Sequence, residues 1–263
     1  GFGVPRALGT VLAEDLVARG YVVVTMDHTY ETAPVEFPGG RVELQQLPQD
    51  DDLFKKALAT RVQDARFILD SLTALHAGRN PDAENRRLPQ HLGRTLDLSR
   101  VGMVGHSAGG IQAAETMRVD RRLDAGIDLD GTMQYAADDF VQVANEGLDR
   151  PFLLMGAGEQ THVTSPSWKS FWENSTGWKR DLNVPTGAHY TFTDLQWILP
   201  VLDEHLDIPA ADREAFIGTV NPTRITDSQR AYVTAFFNRH LRNSPSPILN
   251  RPSPKHPDVH FAR

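Results

Sequence analysis

The chain has 263 residues, 40% of them hydrophobic and 23% charged, with no cysteine and a formal net charge of −7. This length can bury one large core, and the missing cysteines exclude disulfides, thiolate zinc sites and a cysteine nucleophile. The acidic balance offers no electrostatic footprint for nucleic acid or an anionic membrane, and no stretch approaches the roughly 18 apolar residues of a transmembrane segment.

The opening GFGVPRALG has no Met and no basic or apolar region of signal-peptide type, so the compartment stays open. It reads as a strand-to-helix turn, which predicts N-terminal strands upstream of the given sequence. Residues 7–19 are amphipathic and helical, and YVVVTMDH (21–28) is a β-branched run that fits a strand buried on both faces. Residues 29–52 hold three prolines and a Gly-Gly pair, and so form a loop with room for a small hairpin. Apolar spacing at Phe54, Leu58, Val62, Ala65, Leu69 and Leu72 predicts a helix over 53–76, followed by a polar linker over 78–100.

Val101, Met103 and Val104 begin a buried strand, and 111–117 has the composition of a helix. LDAGIDLD (123–130), RPFLLMGA (150–157) and WKRDLNV (178–184) are further strands, SWKSFW (167–172) is an aromatic helix, and helices are expected around 193–206 and 226–241. The last 21 residues, 243–263, contain five prolines and should wrap the surface or be mobile. Strands alternating with helices predict an α/β fold with a mostly parallel sheet covered on both faces. The expected organisation is one catalytic domain over 1–242 and a proline-rich tail over 243–263.

Between the strand at 101–104 and the helix that follows stands Gly105-His106-Ser107-Ala108-Gly109, a G-x-S-x-G nucleophile elbow in which a tight turn exposes a strained serine. The two glycines are expected because a Cβ at either position would clash. A serine hydroxyl needs a base. Among ten histidines, His189 stands on a Gly-Ala turn after the last strand and before a helix, where elbow hydrolases place it; His162, after the preceding strand, is the weaker rival. The acid that orients the imidazole should end a strand. Asp130 at the end of GIDLDG is preferred over Glu159, with Asp128 read as structural although a regular strand would put it on the same face.

The segments GFGVPRALGTVLAEDLVARGYVVVTMDH, RVQDARFILD, DLSRVGMVGHSAGG, GIDLDGTM and GAHYTFTDL, in this order, resemble the platelet-activating factor acetylhydrolase family of α/β-hydrolases, with its bacterial lipase-like members. The resemblance implies Asp130 as the acid, because in that family the acid follows the strand after the nucleophile helix. It also implies that GFG is the oxyanion loop, with the backbone N–H groups of Phe2 and Ala108 facing the developing oxyanion.

Phe2, Met133 and Trp168 are expected to line the substrate pocket. Trp168, Phe171 and Trp172 equally have the spacing of one buried helix face, and Trp178 is a further candidate for the pocket. Asp27 and His28 are read as loop-orienting groups. The reading is a serine carboxylic-ester hydrolase working through an acyl-enzyme on a short-acyl or phospholipid-type ester, with no cofactor and no metal. A broader lipase or polyester hydrolase is the alternative within enzymes, and a catalytically silent binding protein the alternative outside them.

Overall fold

The computed structural model describes residues 1–46 and 49–263. A single 3-10 turn at Arg6–Gly9 leads into helix α1 (Thr10–Ala18). Hairpin β1 (Val35–Glu36) and β2 (Val42–Glu43) decorates the loop before α2 (Asp51–His76), whose N-cap Asp50 accepts the Leu53 N–H. Leu47 and Pro48, inside the predicted loop, lie outside the described residues. Then follow β3 (Gly102–His106), α3 (Ala108–Val119), β4 (Ala125–Leu129), the hairpin β5 (Gln134–Ala136) and β6 (Asp139–Phe140), α4 (Gln142–Glu146) and β7 (Phe152–Ala157). The remainder is α5 (Pro166–Asn174), β8 (Lys179–Val184), a 3-10 turn at His189–Phe192, α6 (Leu195–Leu206), α7 (Ala210–Ile217), α8 (Pro222–Arg242) and β9 (His260–Phe261). The hairpin β5–β6, α4 and α7 are too short to carry a clear periodic signal in the sequence.

The main sheet runs β3-β4-β7-β8-β9, parallel except for β9. Side chains alternate across it with a period of two. Leu153, Met155 and Ala157 of β7 join Ile127, Leu182, Tyr232 and Phe236 in a core under α1 and α8, while Phe152 and Leu154 face the opposite core with Leu58, Ile111, Met117 and Phe171. This is the expected α/β arrangement, with helices on both faces. The proline-rich tail adds β9 to the sheet and sends Leu249 and Val259 into the first core, both essentially without exposure.

One expected strand is absent. Residues 21–28 make no ladder hydrogen bonds, and Val22 and Val24 are 54% and 44% exposed while Tyr21 and Val23 pack on the core. The prediction of a strand buried on both faces is therefore corrected. β-branched residues supply strand propensity, but a strand is a property of a pair, and the neighbouring backbone of β3 lies across a cavity of about 520 Å³. Tyr21 to Met26 and Val101 to Gly105 both line that cavity, together with Leu12, Leu69 and Phe237.

Candidate active site

The turn from β3 to α3 is as tight as the spacing demands. Ser107 sits at φ 56° and ψ −126°, a conformation that costs a non-glycine residue ~1–3 kcal/mol. A Cβ on Gly105 would strike the backbone of Gly109, its Cα at 2.7 Å. At Gly109 itself a Cβ would meet nothing within 4 Å, so the expectation of a clash at both motif glycines is corrected. The second steric demand falls one residue later, where a Cβ on Gly110 would run into Asp128, its Cα at 2.9 Å. That contact is how α3 seats directly on β4.

Asp130 follows β4, but not on its pleat. Its φ of 59° takes the chain off the strand, so that Asp128 and Asp130 face different ways. Asp128 is fully buried toward α3, where its Oδ1 accepts the Gly131 N–H at 2.8 Å; burial raises its pKa well above the usual carboxylate range. Asp130 Oδ1 accepts the Ala157 N–H at 2.7 Å, and Oδ2 faces His189 Nδ1 at 2.7 Å. On the other side of the ring, His189 Nε2 is 2.9 Å from Ser107 Oγ. The network assigns the tautomer: Nδ1–H donates to the carboxylate, leaving the Nε2 lone pair for the serine proton.

The loop carrying His189 is pinned from below. Thr191 Oγ1 accepts the Ala188 N–H at 2.7 Å and donates to the Ile217 carbonyl at 2.9 Å, tying the turn to the end of α7. From the side, His106 Nε2–H donates to the His189 carbonyl at 2.6 Å, and its ring lies 4.7 Å from that of His189. Burial holds His106 well below the ordinary histidine pKa, so it stays neutral. The motif marks His106 only as a filler position; its partner lies 83 residues away, and no local signal announces it.

His162 does not approach Ser107. Its Nδ1 meets Asp181 Oδ2 at 2.7 Å and its ring stacks on Trp172 at 4.1 Å. The side chain of Glu159 is exposed. Met133 and Trp168 have no exposed surface, so their assignment to a pocket wall is corrected: both belong to the core beneath the site. Trp168 still serves the site indirectly, its Nε1–H donating to the Gly131 carbonyl at 2.6 Å, next to Asp130. Phe171 lies in the same core, Trp172 covers His162, and Trp178 packs against α8 through Phe236.

Phe2 is half-buried beside the elbow, its ring 4.8 Å from Phe54, with Tyr135 a further 5.8 Å from Phe54. A Cβ on Gly1 would come 3.2 Å from Ser107 Cβ, so the GFG loop lies against the serine. The Phe2 and Ala108 N–H groups have no hydrogen-bond partner among the described residues. Asp27 holds the start of the 3-10 turn, accepting Arg6 N–H at 2.7 Å, and His28 bridges Asp64 and Gln112 at 2.7 and 3.0 Å. Among the described residues no group of three or more His, Asp and Glu is arranged to hold a metal.

Comparison with known proteins gives three kinds of match. The family model for platelet-activating factor acetylhydrolase, isoform II, matches residues 1–206. A probable 1-alkyl-2-acetylglycerophosphocholine esterase of Arthroderma benhamiae is 29% identical, the match covering 97% of this chain and 62% of the relative. The platelet-activating factor acetylhydrolase of Gallus gallus is 21% identical, over 92% of this chain and 60% of its own. The chain thus spans about three fifths of the length of these curated relatives. Among solved structures, a ferulic acid esterase from Streptomyces cinnamoneus superposes with a TM-score of 0.80 at 42% identity, covering 100% of this chain and 72% of that one.

Proposed function

Since the chain belongs to the platelet-activating factor acetylhydrolase, isoform II, family, we propose that it is a serine carboxylic-ester hydrolase acting through an acyl-enzyme on short-acyl or phospholipid-type esters. Ser107 Oγ attacks the ester carbonyl while His189 Nε2 takes its proton. Asp130 holds the imidazole in its tautomer and stabilises the imidazolium that forms. The oxyanion develops against the N–H groups of Phe2 and Ala108, donors that need no reorganisation at the moment of reaction. His189 then gives its proton to the leaving alkoxide, and a water molecule, deprotonated by the same nitrogen, releases the acyl group. No cofactor or metal enters these steps.

The observation that carries this reading is the continuous relay from Ser107 Oγ to His189 at 2.9 Å and from His189 to Asp130 at 2.7 Å, at the end of the sheet where the parallel strands finish. Labelling with a fluorophosphonate tests it: covalent modification of the protein that is lost in Ser107→Ala is expected, and a protein that stays unlabelled refutes it.

A second reading, an aromatic acyl substrate, is favoured by the likeness to a ferulic acid esterase and by the aromatic series Phe2, Phe54 and Tyr135 beside the elbow. Comparing kcat/KM on p-nitrophenyl acetate and butyrate with that on a feruloyl ester separates the two.

A further inference from the structure

The buried ion pair of Arg61 and Glu31 lies beside the proposed oxyanion loop. Arg61 comes from α2, is 3% exposed, and places its guanidinium 2.7 Å from Glu31 Oε2, itself 6% exposed as a residue. A buried pair of this kind is weak as a source of stability, because the desolvation of both charges offsets most of their attraction. Its geometry gives it another use. Arg61 Nη2 donates to the Gly1 carbonyl at 3.0 Å, and the guanidinium lies 4.7 Å over the Phe2 ring.

The Gly1 carbonyl and the Phe2 N–H belong to one peptide group. That group is planar and trans, so its C=O and N–H point in opposite directions. A donor that fixes the carbonyl on one side therefore aims the N–H to the other. It also polarises the amide, since a hydrogen bond accepted at the oxygen strengthens donation from the nitrogen, by about 10–30% per bond in condensed phase. The same arginine is anchored to α3: its backbone carbonyl accepts Gln112 Nε2–H at 2.6 Å, and Gln112 is five residues beyond Ser107 on the nucleophile helix. One residue thus references the loop, through its side chain, to the element that carries the serine, through its backbone.

We infer that Arg61, held by Glu31, is a positioning residue for ester hydrolysis that orients and polarises the Gly1–Phe2 peptide so that Phe2 N–H serves as an oxyanion donor. The inference rests on the esterase reading, but it fails separately from it.

Two variants test it. Arg61→Met with Glu31→Gln removes both charges together and leaves neither buried alone; Arg61→Lys keeps the charge but loses the planar fork that serves Glu31 and Gly1 at once. Folding is checked by circular dichroism and thermal melting. In folded variants kcat on p-nitrophenyl acetate is expected to fall tenfold or more, a fraction of the ~10²–10³ lost when an oxyanion donor is removed outright, while KM changes less than threefold. The specific readout is the rate ratio between an aryl ester and its thionoester. Sulfur accepts hydrogen bonds poorly, so the native enzyme should discriminate strongly between the two and the variants should not. A folded variant with native kcat, or one with reduced kcat but an unchanged ester-to-thionoester ratio, overturns the inference. Failure of the unmodified protein to react with a fluorophosphonate would instead overturn the esterase reading.

Discussion

Replacing Asp130 by Asn removes one charge and almost no volume, and the structure says what the new amide must do. The Ala157 N–H, 2.7 Å from Oδ1, requires an oxygen at that position. The Asn NH2 then faces His189 Nδ1 at the 2.7 Å now spanned by the carboxylate bond, and two N–H donors cannot meet there. His189 must accept at Nδ1 and carry its proton on Nε2, where it can no longer take a proton from Ser107. Flipping the amide restores the tautomer but leaves the buried Ala157 N–H unpaired, at a cost of ~1–3 kcal/mol, so between about 1% and 20% of molecules would hold the productive form. That form still lacks the carboxylate that stabilises the imidazolium. The same substitution in another Ser-His-Asp hydrolase costs about 10⁴ in kcat, which bounds the effect from above. The expected loss in kcat is therefore ~10²–10⁴, or about 2.7–5.5 kcal/mol in transition-state stabilisation. The assay is kcat and KM on p-nitrophenyl butyrate, with thermal melting to verify the fold and Glu159→Gln, an exposed carboxylate, as a variant expected within twofold of the parent. A folded Asp130→Asn enzyme within tenfold of the parent would refute the assignment of Asp130 and the hydrogen-bond argument with it.

Gly110→Ala should destabilise by roughly 1–3 kcal/mol because its Cβ meets Asp128 on the adjacent strand, whereas Gly109→Ala, with open space at its Cβ, should melt no lower than the parent; equal losses would contradict the steric reading of the elbow. Asp128 has its pKa raised by burial, so the folded state holds its proton where the unfolded chain has released it, and stability is lost as pH rises above about 4. Asp128→Asn should abolish that loss, its melting temperature gaining on the parent as pH rises from about 4; parallel pH profiles would count against it. His240, packed on Trp178 and Phe236, is pushed down to about 4 by burial, so it is neutral in the fold between pH 4 and 6.5 while the unfolded chain binds a proton. Stability should fall as pH drops through that window, and His240→Phe should flatten the fall in chemical denaturation; an equally steep fall in the variant would disprove the role. On p-nitrophenyl esters kcat/KM should peak at acetate to butyrate, each methylene that fits adding ~0.8 kcal/mol and one that does not being rejected sterically; a rise continuing through octanoate to palmitate would favour the lipase alternative.

The α/β class, the elbow around Ser107 and the turn that carries His189 are legible in the residues alone, because these depend on local chemistry: a period of two or 3.6, a glycine where backbones touch, a turn before a helix. The preference for Asp130 over Glu159 rests on its place at the carboxyl end of a strand, and the family resemblance independently implies the same residue. Tertiary structure alone decided what depends on pairing between distant segments. Residues 21–28 have the composition of a strand, yet strand formation needs a neighbour, and β3 stands across a cavity. Met133 and Trp168 are as apolar as any pocket wall, but which apolar residue faces solvent follows from how α5 and the loop after Asp130 pack, and both are fully enclosed. His106 supports the His189 carbonyl 83 residues away, and Arg61 reaches Glu31 across 30 residues and Gly1 across 60. Polar side chains at such separations carry no local signature, because burial makes their charges costly only once the fold has chosen their partners.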